Sequence, residues 1–342
     1  MNQTLRVLVA GVSGNVSIGI LKVLKKAFFK NIRTYGACLY KNSAGFGLSD
    51  EALLCPLAFS SEFPEWLSRI ENNYNIDLVI SGVEEVNYVL AKIKNQQTKA
   101  LYLVPEFENI KIFNDKLETA AWFNKFKIEH PVTIDLDNKE DFARFSSRIK
   151  VPAIVKPKLG KGSTELKIIK NEKELLPFVE VGGYIVQELI GDPQNEYTCG
   201  VYKSKFGYTQ VIVMRRILNN GSTVLAEVVE DKKITDYCYK IANALDTTSP
   251  FNVQLRISDN GKPLCFEINM RLSGTTPIRH HFGFKDCEAW IREQLFNQDS
   301  RELFNIVPGI AIRYEEEVYF KSLALDLLNE KKSIDIHGGL IK

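Results

Sequence analysis

The order of apolar patterns in the first third of the chain constrains its fold most strongly. From residue 1 to about residue 105, short strand-like runs alternate with longer helical patterns. In order, these segments read LRVLVAG, IGILKVLKKAF, RTYGACLY, FPEWLSRIENNY, IDLVISG, VNYVLAKIK and LYLV. Strands that alternate with helices are typical of a parallel sheet covered by helices. The sequence therefore predicts a small parallel α/β unit at the N-terminus.

The pattern changes after residue 111. Helical signals dominate from residue 112 to about residue 149, with Asn114 or Asp115 as the expected N-cap of KLETAAWFNKF. From residue 151 to 320, β-rich segments recur between turn signals: PAIVKPK, ELKIIK, YIVQEL, YTCGVYK, TQVIVMRRI, FNVQLRI, PLCFEINM and AIRYEEEVYF. Helical patterns interrupt them near residues 232–245 and 286–296. This half is expected to be α+β with antiparallel sheets.

The composition narrows the class of protein. At 342 residues the chain is long enough for two or three compact units. Its 44 basic and 42 acidic side chains create no field that would attract nucleic acid. The six cysteines include no C-x-x-C pair, which is typical of a protein of the reducing cytoplasm. The apolar run at residues 5–12 lacks the basic flank of a signal peptide, and no run approaches the roughly 20 apolar residues of a membrane span.

Three glycines, Gly11, Gly14 and Gly19, follow the first strand and open the first helix. Such a turn can present backbone N–H groups and a helix N-terminus to an anion, or it can be a tight turn that binds nothing. A nicotinamide site is disfavoured because the spacing departs from G-x-G-x-x-G. The second strand also ends at Leu39-Tyr40-Lys41, where that site needs an acidic residue.

The segment FNVQLRISDNGKPLCFEINMR carries the most functional information. Two β-rich runs flank Asn260-Gly261, a pair that favours a two-residue type I′ hairpin loop. With Asp259 and Lys262 flanking the loop, antiparallel pairing counted back along the strands places Gln254 opposite Glu267. The sequence thus predicts a hairpin whose register brings these two side chains together.

Period-two alternation points Asn269 and Arg271 to the same face of the hairpin as Glu267. Gln254, Glu267 and Asn269 then offer oxygen atoms of the kind that Mg²⁺ prefers, and Arg271 is placed to meet phosphate oxygens. The competing interpretation is the solvated outer face of an ordinary hairpin. The residues alone do not decide between the two.

Two segments upstream have the composition of a nucleotide site. A strand leads into Lys156-Pro157-Lys158 and then into Gly160-Lys161-Gly162-Ser163, where glycines permit close backbone approach to phosphates and lysines add charge. An exposed, lysine-rich hairpin has the same composition. Further on, the strand Tyr184–Ile190 precedes Glu196, so main-chain groups can meet an adenine edge and a carboxylate can meet ribose hydroxyls. A carboxylate in an ordinary loop that binds no ligand would give the same sequence pattern.

The order of these signals is more specific than any one of them. Asn114-Asp115-Lys116, VKPKLGKGS, VQELIGDPQNEYT, MRR, Gln254 and FEINMRLSGTTP together resemble the ATP-grasp superfamily. The chain looks most like one ATP-grasp half of the carbamoyl phosphate synthase large subunit and related carboxylate-amine ligases, over residues 1 to about 300. The resemblance implies a Rossmann-like pre-ATP-grasp domain at residues 1–111, a small lobe with a lid at 112–186 and a C-terminal lobe at 187–342.

The resemblance also implies roles for individual residues. Lys116 and Lys156 match the lysines at the nucleotide phosphates, and Gly160, Gly162 and Ser163 match the lid. Glu188 and Leu189 match the adenine connector, and Glu196 matches the ribose-binding acid. Gln254, Glu267 and Asn269 match the ligands of Mg²⁺ (or Mn²⁺). Arg271 matches the arginine that stabilises the transferred phosphoryl group, so Arg271 and Lys156 are the expected catalytic residues, assisted by Arg215 or Arg216.

Some features depart from the family pattern. The lid continues as Ser163-Thr164-Glu165 where relatives often carry another glycine, so its phosphate contacts are expected to differ. The chain has a single grasp unit and no recognisable glutamine amidotransferase, so carbamoyl phosphate synthesis itself is not expected. Arg279 is a candidate clamp for a substrate carboxylate. His280 and His281 are candidates for handling an amine proton or, equally, are structural.

The resemblance therefore implies an ATP-dependent ligase. Mg-ATP would convert a small carboxylate into an acyl phosphate, which an amine or a thiol then attacks. By analogy with the superfamily, a homodimer is expected, with no nucleic-acid or membrane partner. The alternatives are a nucleotide-binding module without turnover and, less favoured, a nicotinamide-dependent oxidoreductase.

Overall fold

The parallel N-terminal sheet expected from the alternating pattern is present in the computed structural model, which describes residues 4–27, 31–96, 98–160, 166–337 and 339–340. Within these ranges the strands are β1 (Leu5–Ala10), β2 (Ile32–Cys38), β3 (Glu51–Leu54), β4 (Leu78–Ser81), β5 (Leu101–Leu103), β6 (Thr133–Asp135), β7 (Ala153–Pro157), β8 (Lys167–Ile169), β9 (Tyr184–Glu188), β10 (Glu196–Lys203), β11 (Thr209–Asn219), β12 (Ser222–Val228), β13 (Pro250–Ile257), β14 (Pro263–Asn269), β15 (Gly309–Ile312) and β16 (Ser333–Asp335).

Helices connect and cover these strands. Over the same ranges they are α1 (Asn15–Leu24), α2 (Glu62–Tyr74), α3 (Glu84–Ile93), α4 (Phe107–Asn114), α5 (Lys116–Lys125), α6 (Lys139–Ala143), α7 (Phe145–Arg148), α8 (Leu176–Val181), α9 (Lys232–Ala244), α10 (Thr276–His281), α11 (Asp286–Phe296) and α12 (Ser322–Lys331). None of the helices in the described ranges is both long and apolar enough to cross a membrane.

The first sheet has the order β16-β3-β2-β1-β4-β5. Strands β1 to β5 pair in parallel, and residues 7–10 of β1 are buried because helices cover both faces. The predicted strands and helices of this region are confirmed. Strand β3 was not predicted, since it is short and begins with a charged residue, Glu51, which pairs with Arg33.

The sixth strand of this sheet comes from the other end of the chain. Strand β16 pairs antiparallel with β3, and His337 lies 3.0 Å from the Asp50 carboxylate. Leu328 of α12 and Ile336 are fully buried in the same core. The predicted division into consecutive ranges is wrong here, because residues 333–336 pack in the N-terminal unit rather than in the lobe assigned to 187–342.

A four-stranded antiparallel sheet forms the small lobe, in the order β6-β9-β7-β8. Its core contains Ile134, Val155 and Val186. Strand β9 runs across the boundary predicted at residue 186, so the lobe extends at least to Glu188. Of the two predicted N-cap candidates of α5, Asp115 is the N-cap. Its carboxylate accepts hydrogen bonds from the first-turn amides of that helix.

The third sheet is antiparallel, in the order β14-β13-β10-β11-β12-β15. One face packs on α9 through Cys199, Val253 and Leu255. The expected α+β architecture with antiparallel sheets is confirmed, as are the two helices near 232–245 and 286–296. Strand β12 was not predicted, and the predicted strand AIRYEEEVYF (residues 311–320) overlaps the observed β15 only at residues 311–312.

Ile336 allows the C-terminal closure to be tested. Replacement by alanine leaves a cavity in a fully buried position, so Ile336→Ala should lower the free energy of unfolding by about 2–5 kcal/mol. Ile310→Ala, at a residue that is 60% exposed, is the control and should change it little. Urea denaturation followed by circular dichroism measures both. Equal effects of the two variants would contradict the packing of this segment.

Candidate active site

Polar side chains collect on one face of the third sheet, opposite the face that packs on α9. Glu196 and Thr198 of β10 lie in register with Arg256 and Gln254 of β13, and Gln254 lies opposite Glu267 of β14. Because side chains alternate along a strand, all five point to the same side. A buried sheet with a row of polar groups on one face is the arrangement expected of a ligand-binding surface.

The predicted register of the hairpin is confirmed at the functional positions, but the predicted loop is wrong. Ser258 and Lys262 close a three-residue loop in which Gly261 has a φ of +74°, rather than a two-residue turn. Near the loop the strands are therefore shifted by one residue. A β-bulge at Phe266 removes this shift, so Gln254 still faces Glu267.

The three predicted metal ligands are neighbours. Asn269 Nδ2 donates to Glu267 Oε1 at 2.9 Å, and Gln254 is the cross-strand partner of Glu267. Across the described residues, no three His, Cys, Asp or Glu side chains group together to hold a metal ion. One carboxylate and two amides are hard oxygen donors that fit Mg²⁺ if phosphate oxygens complete the coordination. The donor set thus suits a metal that arrives with a nucleotide.

Arg271 extends this row toward the N-terminal unit. Its Nη2 donates to Asn269 Oδ1 at 2.7 Å, and its Nε and Nη2 donate to Glu84 Oε1 at 3.1 and 2.7 Å. Glu84 begins α3, far from Arg271 in sequence. Sequence reasoning missed Glu84, since no local pattern identifies a partner 187 residues away.

Lys156 approaches the row from the small lobe. Its Nζ donates to Gln187 Oε1 at 2.8 Å and lies 5.9 Å from the centroid of the Phe266 ring. Burial lowers the pKa of Lys156 to about 8, although the nearby Glu267 carboxylate opposes the shift. A buried lysine next to a predicted metal ligand has a charge that a bound anion would stabilise.

Lys116, the first residue of α5, lies at the base of the predicted lid. Its Nζ donates to the Gly160 carbonyl at 2.8 Å. Burial lowers the pKa of Lys116, whereas Glu267 and Glu84 raise it. Gly160 has a φ of +110°, a conformation that favours glycine. The other predicted lid residues, Gly162 and Ser163, lie outside the described residues.

The predicted adenine connector follows the end of β9. Glu188 Oε2 accepts from the Val132 amide at 3.2 Å, and Glu188 N donates to the Val132 carbonyl. Leu189 is half-buried just beyond the strand. The carbonyl of Ile190 accepts from Arg256 Nη1 at 3.4 Å, which joins the connector to the polar face. The roles of Glu188 and Leu189 remain predictions.

Arg215 and Arg216, the two alternatives for an assisting arginine, lie on opposite faces of the third sheet. Arg216 is buried on the polar face, where its Nη2 donates to Gln254 Oε1 at 2.7 Å. Arg215 points to the other side and pairs with Glu227 at an exposed position. Arg216 and Arg256 also bind the two oxygens of Glu196. Arg256 was missed, although its position two residues after Gln254 places it on the same face.

The structure argues against the predicted substrate role of Arg279. Its side chain is fully buried, and its Nη2 lies 2.5 Å from the equally buried Asp286 carboxylate. It packs over Gly200, where a Cβ would come within 2.6 Å of its Nη1. His280 is also buried, which lowers its pKa to about 4, whereas His281 is exposed. A guanidinium committed to an internal ion pair does not reach a ligand in the cleft.

The N-terminal glycines have packing roles. A Cβ at Gly11 would lie 2.1 Å from a Val83 methyl group, and Gly11 itself has a φ of +74°. A Cβ at Gly19 would come within 3.0 Å of Pro277 in α10. Close packing thus accounts for both glycines and favours the interpretation of a tight turn.

A cavity of about 660 Å³ opens between the N-terminal unit and the base of the lid. Its lining includes Tyr88, Lys111, Leu159 and Gly160. The same cavity is also lined by carboxylates at Glu84, Glu85, Glu108, Asp115 and Glu118. Because Glu84 binds Arg271, the cavity adjoins the end of the polar row.

Comparisons with known sequences found a family model and several relatives that the chain resembles. A family model described as "ATP-grasp in the biosynthetic pathway with Ter operon" matches residues 184–318. The carbamoyl phosphate synthase large chain of Pyrococcus furiosus is 26% identical over 235 residues, which cover 62% of this chain and 22% of that protein. The chain thus spans about a fifth of the length of this relative.

Solved structures establish the fold. An N5-carboxyaminoimidazole ribonucleotide synthetase in complex with ADP has a TM-score of 0.72 at 14% identity, covering 90% of this chain and 81% of that one. The biotin carboxylase domain dimer of Hydrogenobacter thermophilus 2-oxoglutarate carboxylase, with MgADP, ADP and bicarbonate, has a TM-score of 0.71 at 14% identity, covering 90% and 74%.

The buried ion pair provides a test of the role of Arg279. Asp286→Asn removes one partner and leaves a buried guanidinium uncompensated, so the free energy of unfolding should fall by about 3–5 kcal/mol. Asp236→Asn, in an exposed pair with Lys232, is the control and should have little effect. Chemical denaturation measures both. An unchanged stability of Asp286→Asn would show that Arg279 does not depend on this pair.

Proposed function

We propose that this chain is a ligase that uses Mg-ATP to activate a carboxylate and join it to an amine. Its predicted resemblance to the ATP-grasp superfamily is confirmed by the family match and by its fold. The observation that carries the proposal is the continuous row of Gln254, Glu267, Asn269 and Arg271, with Lys156 beside it. This row combines hard oxygen donors with cations, as the binding of a metal-nucleotide complex requires.

The nucleotide phosphates are proposed to lie between the two lobes. Lys156 approaches from the small lobe, and Lys116 holds the carbonyl of Gly160 at the base of the lid. Gly162 and Ser163 are proposed to complete that lid. Glu188 and Leu189 are proposed to meet adenine through the connector. Support comes from the ADP bound in the solved relative and from the lowered pKa of Lys156, which a phosphate would counter.

The divalent cation, Mg²⁺ or Mn²⁺, is proposed to bind to Gln254, Glu267 and Asn269. When bound, it supplies positive charge that neutralises the phosphate oxygens. The single carboxylate of this set leaves room for phosphate ligands. Magnesium in the MgADP complex of the biotin carboxylase domain supports the assignment.

In the proposed reaction a substrate carboxylate attacks the γ-phosphate, and an acyl phosphate and ADP form. Arg271 stabilises the charge that develops on the transferred phosphoryl group, assisted by Lys156. The amine or thiol then attacks the acyl carbon, and phosphate leaves. No side-chain nucleophile is needed, so positioning and electrostatics provide most of the rate.

The lining of the 660 Å³ cavity supports an amine rather than a thiol as the attacking group. Among the described residues, five carboxylates line it together with the Lys111 ammonium, and two of the five, Glu84 and Glu108, pair with Arg271 and Lys111. A cavity with an excess of negative charge favours a ligand that carries an amino group. Its proximity to Arg271, through Glu84, supports the proposal that such an amine lies near the acyl phosphate.

The competing functions differ in testable ways. A nucleotide-binding module without turnover would use the same row of residues but would release no ADP. A nicotinamide-dependent oxidoreductase needs an acidic residue after β2, where this chain has Leu39-Tyr40-Lys41. We further propose a cytoplasmic location, small-molecule substrates and a homodimer, with neither nucleic acid nor a membrane as a partner. The biotin carboxylase domain is described as a dimer, which supports that assembly.

An ADP-release screen over amino acids and small carboxylates, in pairs, tests the proposal directly. At least one pair should stimulate ADP release in the presence of Mg²⁺. Glu267→Gln removes the only carboxylate of the proposed metal site, so stimulated release should fall by about a hundredfold or more. Glu227→Gln, on the other face of the sheet, is the control with full release expected. Ligand-dependent release by Glu267→Gln at the wild-type rate would contradict the metal assignment.

The pH dependence of nucleotide binding tests Lys156. The ammonium is lost as the pH rises through the pKa of about 8, so the charge that attracts phosphate is present below pH 8 and disappears above it. The Kd for Mg-ADP should therefore weaken by about tenfold per pH unit above pH 8. Calorimetry measures this Kd between pH 6.5 and 9.5, a range that extends about 1.5 units on each side of that pKa.

Lys156→Arg is the matched control, because a guanidinium remains charged over the whole range. Its Kd should change little between pH 8 and 9.5, the upper limit being roughly 1.5 units above the lysine pKa. A wild-type Kd that is constant across this range would contradict a contact between Lys156 and the phosphates.

A further inference from the structure

The Glu196 carboxylate has no acceptor position left for a sugar hydroxyl. Its Oε1 accepts from Nε and Nη2 of Arg216 at 3.0 and 2.6 Å. Its Oε2 accepts from Nε and Nη2 of Arg256 at 3.1 and 2.8 Å. An ionised carboxylate offers about four lone-pair positions. The two arginines use all of them, which conflicts with the ribose-binding role implied by the resemblance.

The register of the third sheet produces this arrangement. Glu196 on β10 is the direct partner of Arg216 on β11 and of Arg256 on β13. Directly opposed side chains on neighbouring strands lie on the same face and interact. The Glu196 side chain is 5% exposed, and those of Arg216 and Arg256 are 9% and 16% exposed. The three groups form a buried unit in which the carboxylate fixes both guanidinium planes.

Both arginines extend beyond Glu196 to the proposed nucleotide site. Arg216 donates to Gln254 Oε1, the oxygen of a proposed metal ligand. Arg256 reaches the carbonyl of Ile190 in the connector, and its guanidinium carbon lies 5.8 Å from the Phe266 ring centroid. Lys156 Nζ lies 5.9 Å from the same centroid. The two arginines thus border the metal ligands, the connector and the phosphate-binding lysine.

The local charge balance favours an anion beside these arginines. The cations at this face are Lys116, Lys156, Arg216, Arg256 and Arg271, and the carboxylates are Glu84, Asp115, Glu196 and Glu267. Among these described residues the cations exceed the carboxylates by one before a metal is added. After the larger effect of burial, Lys116 and then Arg256 also lower the pKa of Lys156, so the cations repel one another. A polyphosphate would relieve this repulsion.

We propose that Glu196 is a positioning residue that holds Arg216 and Arg256 against the phosphate chain of the nucleotide, and that it does not bind the ribose hydroxyls. Arg256 thereby becomes a further phosphate-binding residue. The inference rests on the proposed function, since it requires nucleotide binding at this face. It departs from the role implied by the resemblance, because it assigns Glu196 to the phosphate end of the nucleotide rather than to the ribose.

Two nucleotides that differ only in the ribose hydroxyls distinguish the roles. Calorimetry with Mg-ADP and with Mg-2′,3′-dideoxy-ADP gives Kd values for the wild type and Glu196→Gln. Loss of positioning should weaken binding of both nucleotides equally, by about tenfold or more. A ribose-binding Glu196 would instead give a large loss for ADP and none for the dideoxy nucleotide, and that result would overturn the proposal.

Adenosine tests whether the arginines face the phosphates. Without phosphates it has nothing to gain from Arg216 or Arg256, so its Kd should be the same for the wild type and Glu196→Gln. A fold damaged by the substitution would weaken adenosine and ADP alike. That outcome would also overturn the proposal, because it would make Glu196 merely structural.

Arg256→Met is the second variant, and it keeps the test decisive if Glu196→Gln does not fold. It frees one oxygen of Glu196 while Arg216 stays paired. The proposal expects weaker binding of ADP and dideoxy-ADP by the same factor. If the freed oxygen then bound ribose, ADP would be preferred over dideoxy-ADP more strongly than in the wild type, and the proposal would be wrong.

Glu227→Gln is the matched control for Glu196→Gln, because Glu227 pairs with Arg215 at an exposed position of the same sheet. Its Kd values should equal those of the wild type. Failure of the proposed nucleotide site is separately visible, since the wild type would then not bind Mg-ADP at all. In that case the proposal fails with it. If the wild type binds Mg-ADP and Glu196→Gln loses affinity for ADP but not for dideoxy-ADP, only the inference about Glu196 fails.

Discussion

The burial of charged groups on one face of the third sheet determines the arrangement of the whole candidate site. A charge in such a position must be paired, because the loss of hydration is costly. Glu196 is therefore bound by two arginines, and Glu267 lies among an amide and two lysines. Since cations outnumber carboxylates there, the face is complete only when an anion is present. Metal ligands, lysines and arginines thus form one electrostatic unit rather than separate sites.

Much of the fold was predictable because local patterns determine it. Alternating apolar runs identified most strands, and period-two alternation placed Gln254 opposite Glu267. That agreement was partly fortuitous, since the loop is one residue longer than predicted and the bulge at Phe266 compensates for it. Strand β3 escaped prediction because four residues carry too little periodicity.

The rest of the site could not be predicted, because it depends on contacts between distant segments. Glu84 meets Arg271 only when the N-terminal unit packs against the third sheet. Arg256 gains its importance from pairing with Glu196, which lies 60 residues away. Arg279 seemed a suitable clamp in sequence, yet Asp286 and Gly200 create an internal position for it. In each case the sequence showed the type of residue but not the partner that the fold brings into contact with it.

The return of β16 to the edge of the first sheet has a mechanical consequence. The chain leaves the N-terminal unit after β5 and re-enters it at β16, so two separate crossings connect this unit to the remainder. Buried residues of this unit and of the third sheet also belong to the same hydrophobic clusters, so the two crossings join bodies that share a core. The Glu84 carboxylate is therefore held beside Arg271 by side-chain packing as well as by the path of the chain.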